Sequence, residues 1–401
     1  MVDLDLLRKE PELFRLSLKN RFMEVGLVDE VLAADKVWRA ATARADALRS
    51  ERNQLSTTAQ TAQAHGRRLK DIKRELEKLN EEEKLSAAKR EKLLVRLPNL
   101  LADDVPVGEG ETANKAVKTA GKIKLKNGKS HEELMTSLGW LDLLTAAKVS
   151  GARFRYLKND AAIAWMKLSR LAFDFAVENG FTPVIPPVFT KEETLLGSGF
   201  FPEGQENTFK VEDSYLSGTS EPLLLALGAN QVLAEDELPL RLVGFSACFR
   251  REAGSYGKDT RGMFRQHQFD KVELVSICKP EDSAKEHKFL LELEERFVAQ
   301  FDVPYQVMLI GSGDLGAPAA KKYDIEAWFP SQERYRETHS VSNCTDYQAR
   351  GLGIKYKDKN GDNQFAHTLN GTLATERLLL AIIENNQTED GRVNLPSELS
   401  K

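Results

Sequence analysis

The sequence predicts an α+β protein with two parts, a long N-terminal helical arm and a body in which a mixed sheet is flanked by helices. Small and apolar residues between positions 27 and 97 recur about every 3.5 residues, which is typical of a coiled coil. Beyond residue 112, helical patterns alternate with short apolar runs bounded by turn residues, which indicates strands between helices. A chain of 401 residues has room for two or three domains, so the two patterns can belong to different domains.

The predicted arm is an antiparallel helical hairpin. In its first helix the seam residues are spaced alternately by four and three, skip Arg52, and are Leu27, Val31, Ala34, Trp38, Ala41, Ala45, Leu48 and Leu55. After a polar stretch that ends at Gly66 the pattern resumes, with seam residues Leu69, Ile72, Leu76, Leu79, Leu93 and Leu97. Two helices of roughly 30 residues joined by a short tip are expected to project on the order of 45 Å.

Charge is divided unevenly between the two parts. The whole chain has a formal net charge of -4, whereas residues 31–97 hold 16 Lys and Arg against 10 Asp and Glu, a net charge of +6 that leaves -10 for the remainder. A basic arm on an acidic body favours a nucleic-acid partner. The alternative is that the heptads only brace or dimerise the protein, and that the charges form solvated ladders along the helices.

Composition and cysteine spacing exclude several classes of protein. No stretch of the sequence is long and apolar enough to span a membrane, and the acidic start of the chain does not resemble an export signal. The expected location is therefore the cytoplasm. Cys248, Cys278 and Cys344 are odd in number and far apart, which argues against a disulfide framework and against a four-ligand zinc site.

A glycine-rich segment from Gly311 to Gly316 matches the G-x-G-x-x-G pattern of dinucleotide-binding proteins. Pro318 and an alternating apolar pattern follow it, where a dinucleotide site would need the N-terminus of a helix. The segment is therefore interpreted as a turn between strands. The sequence also lacks a P-loop motif and the G-x-S-x-G motif of hydrolases.

The segment from Phe249 to Leu274 is the richest in candidate binding residues. Two apolar strand patterns flank a centre rich in Gly, Ser and Asp, which predicts a hairpin with a long flexible tip. Its arginines and lysines, with two glutamates, are Arg250, Arg251, Glu252, Lys258, Arg261, Arg265, Lys271 and Glu273. Guanidinium groups on hairpin strands suit phosphate binding, although a surface ladder of ion pairs would have the same composition.

Several motifs, taken in their order along the chain, resemble the seryl-tRNA synthetase family of class II aminoacyl-tRNA synthetases. They are the coiled-coil arm, the linker LPNLLADDVPVG, the segments LLTAAKVSGARF and NGFTPVIPPVF, the tripeptide Thr219-Ser220-Glu221, the Phe249–Leu274 hairpin, and the strings YRETHSVSNCTDYQAR and NGTLATERLLLAIIENNQ. The resemblance covers essentially the whole chain.

The resemblance implies a mostly antiparallel class II sheet flanked by helices. It implies a tRNA-binding domain at 1–105, with the antiparallel coiled coil at about 27–97, and a catalytic domain at 106–401. It also implies a homodimer whose interface is the first class II motif, a long helix and a strand at about Ala162 to Pro187.

The activity implied by the resemblance is that of a serine--tRNA ligase. Such an enzyme activates L-serine with ATP to seryl-adenylate and transfers serine to the 3′ end of tRNA(Ser), and the family also serylates tRNA(Sec). ATP and Mg²⁺ are the implied cofactors, and no zinc is expected. Because the family lays its coiled coil against the long variable arm of tRNA, the candidate contacts are Arg44, Arg49, Arg52, Arg67, Arg68, Lys70, Lys73 and Arg74.

The resemblance also carries over a set of site residues, of which Arg250, Glu337 and Arg377 are the catalytic ones. The implied ATP contacts are Arg250 to the α-phosphate and the substrate carboxylate, Glu252 and Phe269 to adenine, Arg265 and Arg377 to the distal phosphates, and Glu337 and Ser340 to Mg²⁺. The implied serine contacts are Thr219, Glu221, Arg250, Glu273, Asn370 and Thr372.

The sequence departs from the family pattern in two places. Between Asn370 and Arg377 it is one residue shorter than usual, and Glu376 precedes the arginine where the family has a small residue or proline. One residue rotates a helix by about 100 degrees, so we expect a loop before a helix that begins near Leu373 to absorb the deletion. The segment PLLLALGANQ after Glu221 is also more apolar than in the family.

Two further functions stay open at this point. One is a catalytically silent paralogue that acts as an RNA-binding or interaction protein, which the shortened motif near Arg377 favours and the retained site residues oppose. The other is a relative that aminoacylates a carrier protein. The complete N-terminal arm argues against the latter, because such relatives resemble only the catalytic half.

Overall fold

The computed structural model describes residues 1–57, 65–253 and 263–400. The chain divides into two compact units, one comprising Val2–Pro98 and the other comprising Met1 with Asn99–Lys401. Each unit has its own hydrophobic core. Within the described ranges, no helix is both long enough and apolar enough to cross a lipid bilayer.

The smaller unit is helical. Its helices are α1 (Leu4–Lys9), α2 (Pro11–Asn20), α3 (Leu27–Leu55) and α4 (Gly66–Leu94). Helices α3 and α4 are antiparallel, since Arg90 near the end of α4 lies 3.7 Å from the centre of the Trp38 ring, while Arg68 near its start lies 2.7 Å from Glu51. The predicted helical hairpin is confirmed.

Small residues let the two long helices pack closely. The seam residues that are buried are Leu27, Val31, Ala34, Ala41 and Ala45 on α3, and Ile72, Leu76 and Leu79 on α4. Asp35 is also fully buried, and its carboxylate accepts hydrogen bonds from Arg8 and Arg39. Burial raises the pKa of Asp35, but the two guanidinium groups outweigh this effect and the net pKa is lowered.

The larger unit is built on an eight-stranded sheet with the order β1-β11-β12-β13-β16-β10-β9-β4. Its strands are β1 (Lys115–Ala120), β4 (Thr182–Val184), β9 (Leu240–Phe249), β10 (Gln268–Cys278), β11 (Tyr305–Leu309), β12 (Lys321–Phe329), β13 (Arg334–Asn343) and β16 (His367–Thr375). Every neighbouring pair is antiparallel except β4 and β9. The prediction of a mostly antiparallel sheet is confirmed.

Small sheets and helices surround this sheet. The remaining strands are β2 (Leu141–Asp142), β3 (Tyr156–Leu157), β5 (Phe189–Thr190), β6 (Lys210–Val211), β7 (Ser214–Leu216), β8 (Val232–Leu233), β14 (Lys355–Lys357) and β15 (Asn363–Phe365). The helices are α5 (His131–Ser137), α6 (Leu143–Ser150), α7 (Asn159–Glu178), α8 (Glu192–Gly197), α9 (Glu221–Leu225), α10 (Ser283–Val298), α11 (Tyr347–Leu352) and α12 (Glu376–Asn385).

Helices α7 and α12 supply much of the core beneath the sheet. The buried residues of α7 recur at helical spacing and are Ala161, Ala164, Trp165, Leu168, Ala172 and Ala176. Helix α12 is apolar almost all round and is buried from Leu378 to Ile383. The glycine-rich segment at Gly311 lies between β11 and β12, as the interpretation as a turn between strands predicted.

The expected helix start near Leu373 is wrong. Leu373 lies inside β16, because the pairing of β16 with β10 continues to Thr375, which pairs with Lys271. The Thr375 side chain then accepts from the backbone N–H of Arg377, which caps α12 at its first turn. The strand therefore leads directly into the helix, and no loop is present there to absorb the deletion.

Candidate active site

Four neighbouring strands and the helix that follows β16 enclose a polar cavity of about 650 Å³, including its open mouth. The segment after β9 and strand β10 form one wall, β13 and β16 form the other, and α12 closes one end. The lining residues are Arg250, Glu252, Met263, Phe264, Gln266, Phe269, Lys271, Glu337, Thr338, His339, Ser340, Thr372, Thr375, Glu376 and Arg377.

The structure places the sequence-predicted site residues in three adjoining groups. Those that line the cavity are Arg250, Glu252, Phe269, Glu337, Ser340, Thr372 and Arg377. Arg265 faces a second polar pocket, which shares Glu337 and Arg377 with the first. Thr219, Glu221, Glu273 and Asn370 form a buried cluster that Lys271 connects to the cavity.

Two irregularities in the sheet bring residues at odd spacing to the cavity. Alternation along a strand would place Glu337 and Ser340 on opposite faces. The pairing of β12 with β13 skips Thr338, since Ile325 pairs with His339 and Glu326 with Glu337. This extra residue restores both side chains to one face, which is the known effect of a β-bulge.

Strand β16 has a comparable irregularity. Its pairing with β10 skips Leu373, because Val272 pairs with Ala374 and Glu273 with Thr372. As a result Thr372 and Thr375 both line the cavity although they are three positions apart.

Arg250 and Glu252 follow directly after β9. The Nε atom of Arg250 donates to the carbonyl of Gly218 at 3.1 Å, and its guanidinium carbon lies 5.1 Å from the centre of the Phe269 ring. Glu252 has a φ of 51°, a left-handed conformation that is uncommon outside glycine and recurs at functional sites. Its carboxylate lies 3.1 Å from Arg265, which holds it beside the cavity.

Arg377 and Glu337 face each other at the end of the cavity. Nη1 of Arg377 donates to the Glu337 carboxylate at 3.1 Å and to its carbonyl at 3.2 Å, and Nη2 donates to the carbonyl of Phe264 at 3.2 Å. Desolvation raises the pKa of Glu337, but the charges of Arg377, Lys322 and Arg250 outweigh it and lower that pKa to about 2. The carboxylate is therefore ionised at neutral pH.

The buried cluster beside the cavity is anionic. Glu221 accepts from Gln348 at 2.7 Å and from Asn370 at 2.8 Å, while Glu273 is ion-paired with Lys271. Burial, followed by the charge of Glu273, raises the pKa of Glu221 to about 7. Burial also raises the pKa of Glu273, against the lowering effect of Lys271. Two buried carboxylates against one ammonium leave this cluster able to accept a small cation.

The predicted arm residues differ in whether they form ion pairs with acidic neighbours. Arg49 and Arg68 are engaged by acidic neighbours, Asp46 and Glu83 for the former and Glu51 and Glu75 for the latter. The other predicted arm residues are exposed and form no ion pair with described residues, and they are Arg44, Arg52, Arg67, Lys70, Lys73 and Arg74. Lys258 and Arg261 of the hairpin tip lie outside the described residues.

Comparisons with known proteins match both units. Residues 1–101 match the family model of the seryl-tRNA synthetase N-terminal domain, and residues 205–386 match that of the tRNA synthetase class II core domain (G, H, P, S and T). The chain is 43% identical over 407 residues to the serine--tRNA ligase of Mycobacterium marinum and 44% identical over 408 residues to that of Thermobifida fusca. These alignments cover 100% of this chain and 97% and 96% of the respective relatives. The chain belongs to the seryl-tRNA synthetase family.

Solved structures of the family agree with this assignment. The seryl-tRNA synthetase from Pyrococcus horikoshii complexed with ATP matches with a TM-score of 0.91 and 39% identity, over 100% of this chain and 97% of that one. The cytoplasmic serine-tRNA ligase from Naegleria fowleri in complex with AMP matches with a TM-score of 0.86 and 33% identity, over 100% and 96%. The expected family and its class II fold are therefore confirmed.

The residue that departs from the family pattern has a partner in the structure. The side chain of Glu376 is 5% exposed and forms an ion pair with Arg155, and it accepts from the backbone N–H of Asp270 at 3.4 Å. Thr372 and Arg377, on either side of the shortened stretch, both line the cavity.

Several residues at the site were given no specific role by the sequence, among them Gln348 and Glu294, and Lys271 was named only as one of the basic residues of the hairpin. Lys271 lies two positions from Phe269 and from Glu273 on β10, so strand alternation could have found it. Gln348 reaches Glu221 from α11, and no local pattern predicts that contact. Glu294 is fully buried under β16, where a Cβ on Gly371 would lie only 2.6 Å from its Oε1.

Among the described parts of the chain, no three His, Cys, Asp or Glu side chains are arranged to hold a metal ion. Cys248, Cys278 and Cys344 are buried thiols that form no disulfide within the described part of the chain. Glu337 and Ser340 do supply an ionised carboxylate and a hydroxyl on one wall of the cavity. These hard oxygen donors fit Mg²⁺, which usually takes one or two protein ligands and completes its shell with phosphate and water.

The raised pKa of Glu221 predicts a specific pH dependence of stability. Its folded value of about 7 exceeds the ordinary 4.5, so its contribution to stability is complete below about pH 4.5 and is lost as the pH rises through 7. Glu221→Gln is neutral throughout and retains an acceptor for Asn370. The free energy of unfolding of Glu221→Gln minus that of the wild type should therefore rise by up to about 3 kcal/mol between pH 5 and pH 8, because only the wild type loses stability over this range.

Thermal melts of both proteins across this range test the prediction. The matched control is Glu389→Gln, at an exposed position, whose melting temperature should differ from wild type by the same amount at every pH. A constant difference for Glu221→Gln would mean that Glu221 is ionised over the whole range.

Proposed function

We propose that this chain is a serine--tRNA ligase that activates L-serine with ATP and transfers the seryl group to tRNA. The observation that carries the proposal is the placement of two arginines, an ionised carboxylate and a buried anionic cluster around one cavity. The full-length identity to serine--tRNA ligases supports it. A cytoplasmic location is part of the proposal, because tRNA charging serves protein synthesis.

Activation of serine brings two anions together. A serine carboxylate oxygen attacks the α-phosphorus of ATP, and the new phosphorus–oxygen bond gives the mixed anhydride seryl-adenylate. The bond from the α-phosphorus to the oxygen that bridges to the β-phosphate breaks, and pyrophosphate leaves. Like charges approach in this step, so the chemistry needs fixed cations and orientation rather than a general base. Arg250 is the residue proposed for the α-phosphate and the carboxylate, while Arg377, at the opposite end, and Arg265, in the adjoining pocket, would hold the distal phosphates.

The other ATP contacts follow from the same placement. Phe269 offers an aromatic face for adenine next to Arg250, and the Glu252 carboxylate would accept from the adenine amino group. Glu337 and Ser340 are the residues that would hold Mg²⁺, which when bound neutralises phosphate charge. Glu337 also orients Arg377 directly, through the 3.1 Å contact.

Serine recognition is proposed for the buried cluster. Glu221 and Glu273 would pair with the substrate ammonium and accept from its hydroxyl. Asn370 on β16 donates a hydrogen bond to the Glu221 carboxylate, and Thr219, in the segment before α9, accepts from the backbone N–H of Glu221. Thr372 lies on the same strand as Asn370. Alanine bound in place of serine as the substrate would leave buried polar groups of the cluster without partners, which costs about 1–3 kcal/mol for each group.

The second step transfers serine to RNA. The 3′-terminal hydroxyl of tRNA attacks the carbonyl of seryl-adenylate, an ester bond forms, and AMP leaves. We assign tRNA(Ser) recognition to the smaller unit, where Arg67, Lys70 and Arg74 share one exposed face of α4 at helical spacing. Recognition of backbone shape by such a face extends the proposal to tRNA(Sec), as the family resemblance implies.

A homodimer is proposed through α7 and β4. Met166 and Val177 on α7 and Ile185 after β4 are 63%, 41% and 73% exposed, which is unusual for large apolar side chains. They lie along two shallow apolar depressions that share Met166 and Arg170. Contiguous exposed apolar surface of this kind is typical of protein interfaces.

The first experiment is exchange of labelled pyrophosphate into ATP without tRNA. Exchange is expected with serine and not with alanine or glycine, because both lack the hydroxyl from which the cluster at Glu221 and Glu273 would accept. Threonine, which has the hydroxyl and one methyl group more, is measured in parallel. Arg250→Ala should lower the exchange rate at least about 1000-fold, since it removes the cation at the reacting phosphate. The control is Arg392→Ala, at an exposed ion pair with Asp390, which should retain wild-type exchange.

An Arg250→Ala variant that exchanges at the wild-type rate would refute the assigned phosphate clamp. A folded wild-type protein that exchanges with no amino acid would instead favour the catalytically silent RNA-binding paralogue.

The arm assignment predicts a selective loss of tRNA affinity. The triple variant Arg67→Ala, Lys70→Ala, Arg74→Ala should weaken tRNA binding at least about tenfold and reduce the slope of log K against log salt by about 2. Serine-dependent exchange without tRNA should not change. The double variant Lys36→Ala, Lys92→Ala is the control, because both lysines are exposed near the other end of the same helical hairpin. Equal losses in the two variants would argue against a specific binding face.

The dimer assignment predicts that one charge disrupts assembly. Ile185→Asp places a carboxylate on a side chain that is 73% exposed in the single chain, so folding should persist while the dimer dissociates. Sedimentation velocity should then give the monomer mass of 44.9 kDa. Leu227→Asp, at an exposed apolar position elsewhere, is the control and should remain dimeric. A dimeric Ile185→Asp variant would place the interface on another face.

A further inference from the structure

Helix α12 holds the returning end of the β9–β10 hairpin at two points. One is the hydrogen bond from Nη2 of Arg377 to the carbonyl of Phe264, at 3.2 Å. The other runs from Glu384, two turns further along the helix, through His131 to the backbone N–H of Met263. Met263 and Phe264 both line the candidate active site, whereas His131 and Glu384 do not.

The two ring nitrogens of His131 have different tasks. Nδ1 lies 2.7 Å from Oε1 of Glu384, and Nε2 lies 3.3 Å from the backbone nitrogen of Met263. Because a carboxylate only accepts, the hydrogen is assigned to Nδ1, which leaves the lone pair on Nε2 to accept from the Met263 N–H. Glu384 also accepts from the backbone N–H groups of His131 and Ser331, at 2.9 and 3.1 Å.

Packing fixes the ring in this orientation. The side chain of His131 is 4% exposed and that of Glu384 is fully buried. The His131 ring meets the Phe264 ring edge to face, with centroids 5.3 Å apart and an angle of 71°. A displacement of His131 would therefore move Phe264, whose carbonyl also positions Arg377.

We infer that His131 is a positioning residue for ATP, acting through Met263 and Phe264 on Arg377. The acceptor at Nε2 is the feature that matters, because it satisfies the buried N–H of Met263 and so keeps the Phe264 carbonyl aimed at Arg377. His131 lies outside the motifs that carry the ATP and serine contacts. This inference rests on the proposed function, in which Arg377 holds the distal phosphates.

Two amide substitutions test the contributions of the two ring nitrogens of His131 separately. His131→Asn places a donor near the position of Nδ1, which keeps the contact with Glu384, but it has nothing at the position of Nε2. His131→Gln reaches the position of Nε2 with an amide oxygen that can accept from Met263. His131→Leu, which fills the volume without an acceptor, is the second variant if His131→Asn does not fold.

The dissociation constant of ATP with Mg²⁺, measured by calorimetry without serine, is the direct readout. His131→Asn and His131→Leu should weaken ATP binding about tenfold, and His131→Gln should remain within about twofold of wild type. In the exchange assay the KM for ATP should rise in the same order, while the KM for serine stays constant.

Equal losses in the Asn and Gln variants would overturn the inference in favour of simple packing, as would wild-type ATP binding by His131→Asn or a parallel rise of both KM values. The calorimetric measurement keeps this test separate from the proposed function. A wild-type protein that binds ATP but does not exchange with serine would refute the ligase assignment, and the three variants would still report on His131.

Discussion

Backbone pairing among β9, β10, β16 and β13 is the constraint on which the site depends. These four strands form the cavity wall from segments spread between Leu240 and Thr375, the first and last of which are more than a hundred residues apart in sequence. Regular pairing alone would not suffice, because Glu337 and Ser340, and likewise Thr372 and Thr375, are three positions apart. The extra residues at Thr338 and Leu373 shift the register and turn each pair to the same face.

Charge compensation is the second constraint, since the site concentrates ionisable groups, of which Glu221 and Glu273 are buried. Glu273 is paired with Lys271, and Glu337 is paired with Arg377. Among the described residues Glu221 forms no ion pair of this kind, and burial, followed by the charge of Glu273, raises its pKa to about 7. The cluster proposed to bind serine is therefore poised to gain stability from an incoming ammonium, and the end of the cavity proposed to bind phosphate already carries cations.

Helix α12 carries three side chains that contact the site or the residues that support it. Glu376 in its first turn pairs with Arg155, Arg377 reaches the cavity, and Glu384 in its last turns holds His131. The helix is buried along most of its length, so the three contacts keep a fixed spacing. The residue that looks anomalous in sequence, Glu376, is thus part of the packing that supports the arginine beside it.

The sequence by itself determined the coiled-coil arm, because its heptads need only the partner helix next to them, and it determined the strands of the β9–β10 hairpin from their apolar patterns. The family and its expected site residues were recognisable from ordered motifs. The register shifts at Thr338 and Leu373, and the start of α12 at Glu376 rather than near Leu373, were decided only by tertiary structure. Strand pairing between distant segments fixes these features, and so do contacts such as Gln348 to Glu221 and His131 to Met263, none of which leaves a local pattern in the sequence.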